Sequence, residues 1–305
     1  MRRRISMKKS RIRTQSDLYD IILRLLIAIL TYALLSAVVY IPFMSQIGHM
    51  SESVVIRSYV EKSGLPECDD SQNTEYLRAV EYNRSIETIR SQTPFFYRGA
   101  SEETDAYRAL LPGTGGVMCI IEVPSVGICL PVGHGTSDEV LETMAGHVYG
   151  TSLPVGGISA NCVIAAHSGS TSSRLFTDLG RIAPGDTVFV HVLSRTLTYR
   201  VLSDKDISVV LPYDGRIEHA NSPEYDVPYF QIKNGDDILT LYTCTPTGIN
   251  SHRLIVQAHR EETDEKIKQT HELYPSVRHT RSLIFCILLG LIPILGTMLM
   301  LKRII

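Results

Sequence analysis

The chain is poor in cysteine, and its six are scattered: Cys68, Cys119, Cys129, Cys162, Cys244 and Cys286 form no C-x-x-C pair and join no histidine at zinc-ligand spacing. Neither a disulfide framework nor a metal site is signalled, and no cofactor is expected. There is no internal repeat and no low-complexity tract, so 305 residues of 44% hydrophobic and 20% charged composition read as one main folded domain with additions. An excess of basic charge is also missing. Eight basic and two acidic residues precede residue 45 and two basic residues close the chain, which leaves 20 Lys and Arg against 30 Asp and Glu between them. That portion carries about ten negative charges, which argues against a nucleic-acid partner.

Two segments are too apolar for a domain surface: Ile21 to Met44, and the charge-free run of 20 residues from Ser282 to Leu301. Each is long enough to cross a bilayer as a helix. Arg2, Arg3, Arg4, Lys8, Lys9, Arg11 and Arg13 precede the first, and Lys302 and Arg303 follow the second. The positive-inside bias then places both termini in the cytoplasm and residues of about 45 to 281 outside. A cleaved signal peptide is the rival reading of the first segment, but it would have a shorter apolar core followed by an A-x-A-like site.

Between the spans, Ser51 to Val60 and Glu75 to Arg90 have helical spacing, the second with Tyr76, Ala79, Val80, Asn83 and Ile86 on one stripe. Two exposed helices or a stalk would fit. From Val117 the texture changes to short β-rich runs punctuated by Gly, Pro and Asp. Eight strands are expected: Val117–Val123, Gly127–Val132, Asn161–His167, Thr187–Leu193, Thr196–Leu202, Lys205–Val210, Asp237–Cys244 and His252–Arg260. Their number and spacing suggest a closed barrel or sandwich, with a short helix over Leu175 to Leu179. The organisation read from this is a basic terminus 1–20, a signal-anchor span 21–44, a helical stalk with a possible lid 45–116, a β-domain 117–260, a linker 261–281, a second span 282–301 and a tail 302–305.

Three side chains stand out. Cys244 lies at the end of the apolar run Thr240-Leu241-Tyr242-Thr243-Cys244, just before a turn at Pro246 to Asn250. The next strand-like run, Ser251 to Val256, would return Arg253 beside it in a hairpin. His167 ends a similar strand, Val163-Ile164-Ala165-Ala166-His167, and precedes a Gly-containing loop. Taken singly, each has an ordinary reading: a buried core thiol, a satisfied loop histidine, a surface ion-pair arginine.

Together they resemble sortases, in which Thr-Leu-x-Thr-Cys is followed by Arg about nine residues on and a strand-ending His lies upstream. The resemblance continues through Ile121-Glu122-Val123-Pro124, Leu130 to Thr136, Gly146-His147 and Leu175-Phe176-Thr177-Asp178-Leu179, covering about Val117 to Arg260. Cys-Thr-Pro after the motif, the long N-terminal region and the second span resemble the class C, pilus-building sortases. The implied fold is mainly β, an eight-stranded barrel with N-terminal helices and two flanking transmembrane helices. The implied roles are Cys244 as nucleophile, His167 as general acid/base and Arg253 as the group that stabilises the oxyanion. His134 and His147 fall at non-catalytic family positions, and His252 and His259 compete with His167 for the imidazole role.

The resemblance implies cleavage of an LPxTG-like sorting signal between Thr and Gly through a thioester, and transfer to a lysine amine of another pilin subunit. It implies a multi-pass membrane enzyme of a Gram-positive-type cell, with its catalytic domain outside. Open alternatives are a wall-anchoring sortase that uses a peptidoglycan-precursor amine, a hydrolytic cysteine peptidase, and a non-enzymatic membrane-tethered scaffold. Class C lids commonly carry an Asp-Pro-aromatic anchor, yet the chain contains no Asp-Pro dipeptide. Tyr97 is the lid candidate in its place. Leu111-Pro112-Gly113-Thr114-Gly115 is itself an LPxTG pentapeptide, but the apolar span that should follow a sorting signal closely begins about 167 residues later.

Overall fold

The computed structural model describes residues 15–63, 70–92, 103–169, 174–213, 222 and 224–261; Tyr97 and the run Ser282 to Leu301 lie outside them. The chain divides into two units, residues 1–46 with 276–305 and residues 47–275.

In the first unit the described element is the N-terminal part of helix α1 (Gln15–Ser63). Consecutive side chains there are apolar and exposed, among them Ile22, Leu23, Leu26, Ile29, Leu30 and Leu34, so no single buried stripe exists. Among the described residues, no helix is long and apolar enough to cross a membrane.

The second unit is built on a β-barrel: β1 (Val117–Val123), β2 (Ile128–His134), β3 (Ala145–His147), β4 (Ala160–Ala165), β5 (Thr187–Val192), β6 (Arg195–Arg200), β7 (Ile207–Val210), β8 (Asp237–Thr245) and β9 (His252–Arg260). The strand order is β6-β5-β1-β2-β3-β4-β8-β9-β7, and β6 also pairs with β9. That last pairing closes eight strands into a ring. The ninth, β7, takes the stretch of the β9 edge from Arg253 to Val256, while β6 takes His259 and Arg260. Most of the expected strands are present with ends shifted by one or two residues. The addition is the three-residue β3, too short and too Gly-rich to announce itself.

Two corrections concern the site. β4 stops at Ala165, so His167 sits in the loop just beyond the strand and not on it. Leu175 to Leu179 is a turn leading into a single 3-10 turn at Leu179–Arg181, because Leu175 adopts a φ of +37° that no right-handed helix accommodates.

Several strands are buried on both faces, and the outer cover explains why. On β1, a bulge between Val117 and Cys119 lets Val117 and Ile120 face outward while Cys119, Ile121 and Val123 enter the core. The C-terminal part of α1 lies over that outer face. The Tyr59 hydroxyl donates to the Met118 carbonyl at 3.1 Å and accepts from the Leu193 amide at 2.8 Å. Helix α2 (Asp70–Gln92) turns the stripe read from its sequence toward the barrel: Ala79, Asn83 and Ile86 are buried, Tyr76 and Val80 half-buried. Asn83 bonds the Leu153 amide and the carbonyls of Leu153 and Gly156, which satisfies three backbone groups of a buried loop.

The pentapeptide Leu111 to Gly115 is folded into this unit. Leu111 is 1% exposed and takes a φ of +50°, and Thr114–Gly116 form a 3-10 turn. A bent segment with its leucine buried is not offered as an extended peptide.

His147 is fully buried in the core beside the short helix α3 (Asp105–Arg108). Its Nδ1 accepts from the Tyr107 hydroxyl at 2.8 Å and its Nε2 donates to the Ser152 carbonyl at 2.9 Å, which fixes a neutral tautomer. Burial, opposed by the Ser152 bond and reinforced by His134, lowers its pKa to about 4. The unfolded chain, with an ordinary value near 6.5, therefore binds the proton more readily than the fold does. The contribution is complete above that value and is lost as pH falls toward 4, at up to about 1.4 kcal/mol per pH unit. The melting temperature of the wild type should accordingly drop between pH 6.5 and 5 more steeply than that of His147→Gln, which starts lower at pH 7. Parallel slopes would show that His147 does not carry the effect.

Candidate active site

β4 and β8 run parallel, with Val163 level with Thr240 and Ala165 level with Tyr242. The pairing continues past the end of β4: the Ala166 amide donates to the Tyr242 carbonyl at 3.1 Å, and the Thr243 hydroxyl donates to the Ala166 carbonyl at 2.6 Å. His167 is the next residue along, in the loop just beyond β4. On the other side β8 and β9 are antiparallel, and Cys244 is the direct register partner of Arg253. The guanidinium-bearing residue is thus one strand from the thiol, with about 5 Å between backbones, and the loop that carries the imidazole follows β4 on the other side of β8.

Side-chain alternation puts Cys244 and Arg253 on the same face. Leu239 and Leu241 point into the core, so Thr240, Tyr242 and Cys244 point outward. Val163 and Ala165 join Tyr242 in a small outer cluster with Phe230 and Val148. Directly opposed residues of β8 and β9 share a face, so Arg253 lies outward with Cys244. Cys244 and Arg253 are half-buried and His167 is exposed.

The loops beyond the strands are tied to one another. The Ser168 hydroxyl donates to the Cys244 carbonyl at 2.6 Å, and the Phe176 amide donates to the His167 carbonyl at 3.0 Å. Gly169, at a φ of +74°, lies so near the loop after Cys244 that a Cβ there would stand 2.6 Å from the Thr247 methyl. Glycine is what lets the two loops close on each other.

The other candidates are placed elsewhere. His252 is the partner of Thr245 and so alternates to the opposite face from Cys244. His259 is level with Ile238, six residues down β9 from Arg253 and about 20 Å away, where it bonds Asp206. His134 bonds the Leu110 carbonyl and His147 is enclosed as described. Cys119 and Cys162 are buried, and burial pushes both thiols up, the opposite of what a thiolate nucleophile needs. Among the described residues, no group of three or more His, Cys, Asp or Glu side chains could hold a metal ion.

The sequence reading did not foresee what lies behind Arg253. Its Nε donates to the Tyr242 hydroxyl at 3.0 Å, and that hydroxyl donates to Asp226 Oδ2 at 2.6 Å. Burial, with Asp226 alongside, pushes the Tyr242 phenol well above its ordinary range and keeps it a proton donor.

A family model described as the sortase domain matches residues 121–261. Sortase C1 of Streptococcus agalactiae is 35% identical, with 68% of this chain and 98% of that one covered and a TM-score of 0.56. Sortase C-1 of Actinomyces oris is 33% identical, over 64% of this chain and all of that one, with a TM-score of 0.53. The chain belongs to the sortase family. It falls in class C of that family and is a sortase-type cysteine transpeptidase. Sortase C of Streptococcus pneumoniae, whose structure was described for its bearing on catalysis and pilin substrate specificity, is 30% identical over 68% of this sortase and 97% of its own chain, with a TM-score of 0.55. No curated protein matches this sortase. The half-buried thiol of Cys244 lies on the outer sheet face beside Arg253, and the loop that carries His167 is bonded to the Cys244 carbonyl through Ser168.

Proposed function

We propose that this sortase joins pilin subunits, cleaving an LPxTG-like sorting signal between Thr and Gly and transferring the threonyl group to a lysine amine of another subunit. The observation that carries the reading is the pairing of Cys244 with Arg253 on the outer face, with the His167 loop tied to the Cys244 carbonyl by the Ser168 hydroxyl. The Cys244 thiolate attacks the Thr carbonyl carbon and a C–S bond forms. The carbonyl oxygen takes the negative charge, and the planar guanidinium of Arg253 donates to it. His167, as imidazolium, gives its proton to the glycine nitrogen, the C–N bond breaks, and the peptide amine departs from a thioester. In the second half the lysine nitrogen attacks that thioester, His167 takes its proton, an isopeptide C–N bond forms, and sulfur leaves as thiolate.

The pilin substrate is supported by the relatives, one of which is described for pilin substrate specificity and another as a pilus-related sortase C. Membrane attachment through Ile21 to Met44 and Ser282 to Leu301, with both termini cytoplasmic and the barrel outside, is supported by the flanking basic residues and by the exposed apolar side chains around α1. Tyr97 remains the lid candidate on sequence position alone.

The test offers the detergent-solubilised full chain an LPxTG peptide with a pilin-derived lysine peptide, with diaminopimelate or oligoglycine, or with no amine. The isopeptide product should form with the lysine peptide and exceed the hydrolysed peptide. Product only with the wall-type amines would make it a wall-anchoring enzyme. Hydrolysis in every arm would make it a peptidase.

A further inference from the structure

We propose that Tyr242 and Asp226 are positioning residues for catalysis, forming a fixed bracket that aims the Arg253 guanidinium at the developing oxyanion. This rests on the role given to Arg253 above. A guanidinium has five N–H donors in one plane. In this structure Nε donates to the Tyr242 hydroxyl at 3.0 Å, and Nη1 donates to the carbonyls of Asn250 at 3.0 Å and His252 at 3.1 Å. Among the described residues Nη2 has no partner, so it is the edge of the fork left for substrate. Three bonds on the other two nitrogens fix the plane in which that edge lies.

The bracket is anchored from behind. Asp226 is 5% exposed, accepting from Tyr242 through Oδ2 and from the Tyr213 amide through Oδ1 at 2.9 Å. The segment that carries it is bound to the outer sheet face, because Asn161 Nδ2 donates to the carbonyls of Tyr229 and Gln231 and Gln257 Nε2 donates to that of Tyr229. The Tyr242 ring packs edge-on against Phe230 with centroids 5.2 Å apart. Both χ angles of the tyrosine are therefore set by packing, and its oxygen by two hydrogen bonds. Asp226 reaches Arg253 only through the Tyr242 hydroxyl, so the guanidinium is held in place while its free edge keeps its donors for the substrate oxygen.

The experiment measures acylation of the full chain by an LPxTG peptide in Tyr242→Phe, Asp226→Asn, Arg253→Ala and Tyr242→Phe/Arg253→Ala, with melting temperatures recorded alongside. Tyr242→Phe deletes one oxygen and keeps the ring against Phe230, so it should fold. It should lower kcat about ten-fold, part of the 10²–10³ typical of a whole oxyanion donor lost, with KM within about two-fold. Asp226→Asn, which keeps an acceptor for the Tyr213 amide, should do the same in smaller measure. On the Arg253→Ala background, Tyr242→Phe should have no further effect, whereas a merely structural role would add its loss again. If Arg253→Ala leaves acylation intact, the oxyanion role falls and the bracket with it. If Arg253→Ala is crippled while Tyr242→Phe matches wild type, or if the two losses multiply, Arg253 keeps its role and the bracket is overturned.

Discussion

Cys244→Ala is expected to abolish thioester formation and pilus polymerisation while leaving the barrel folded. Alanine preserves the backbone of β8, and Cys244 sits half-buried at the strand end, outside the core clusters, so its removal opens no cavity. The melting temperature should stay within a few degrees. Among the described residues the other cysteines are placed differently: the thiols of Cys119 and Cys162 are enclosed, and burial holds them protonated, while Cys129 packs with Val117 and Ile120. Loss of a nucleophile costs on the order of 10⁶ in kcat where it has been measured in a comparable triad. The check is the mass of the chain after incubation with an LPxTG peptide, which should shift for wild type and not for Cys244→Ala. Cys119→Ala is the control. It should cost about 1 kcal/mol of stability through lost core packing and still form the adduct. An adduct on Cys244→Ala would remove the assignment.

How much of this could be read beforehand follows from how far apart in sequence the partners are. Cys244 and Arg253 are joined by a short hairpin, so their pairing follows from strand periodicity and turn residues alone, and the register places them opposite each other. The α2 stripe was legible for the same reason, since helical spacing repeats locally. His167 was marked by the apolar run before it, but the parallel pairing of β4 with β8, across about 75 residues, that brings its loop to the end of β8 is encoded by no local pattern. The bracket behind Arg253 was not legible. Asp226 lies in an irregular segment whose path is set by bonds to Asn161 and Gln257, both from other strands, and nothing near Asp226 in sequence points to Tyr242. β3 was missed because three residues containing a glycine carry no periodicity, although it links β2 to β4 and so sets where the end of β4 lies.

His167→Ala should be the second largest loss, and its dependence on the leaving group is what defines the role. An amide nitrogen leaves poorly as an anion, so expulsion of the glycine amine needs a proton delivered as the C–N bond breaks. A positioned general acid contributes about 10²–10⁴ to such a step. With an LPxTG peptide the variant should therefore acylate about a thousand-fold more slowly, and KM should change little, because the exposed imidazole contributes to the transition state more than to substrate binding. With an aryl thioester of the same acyl peptide, the leaving thiolate needs no proton, and the deficit should shrink to about ten-fold or less. An equal deficit on both substrates would mean that His167 acts before the leaving group departs, on the state of the Cys244 thiol. The imidazolium would then serve an ion pair with the thiolate, and the departing amine would have to take its proton from elsewhere.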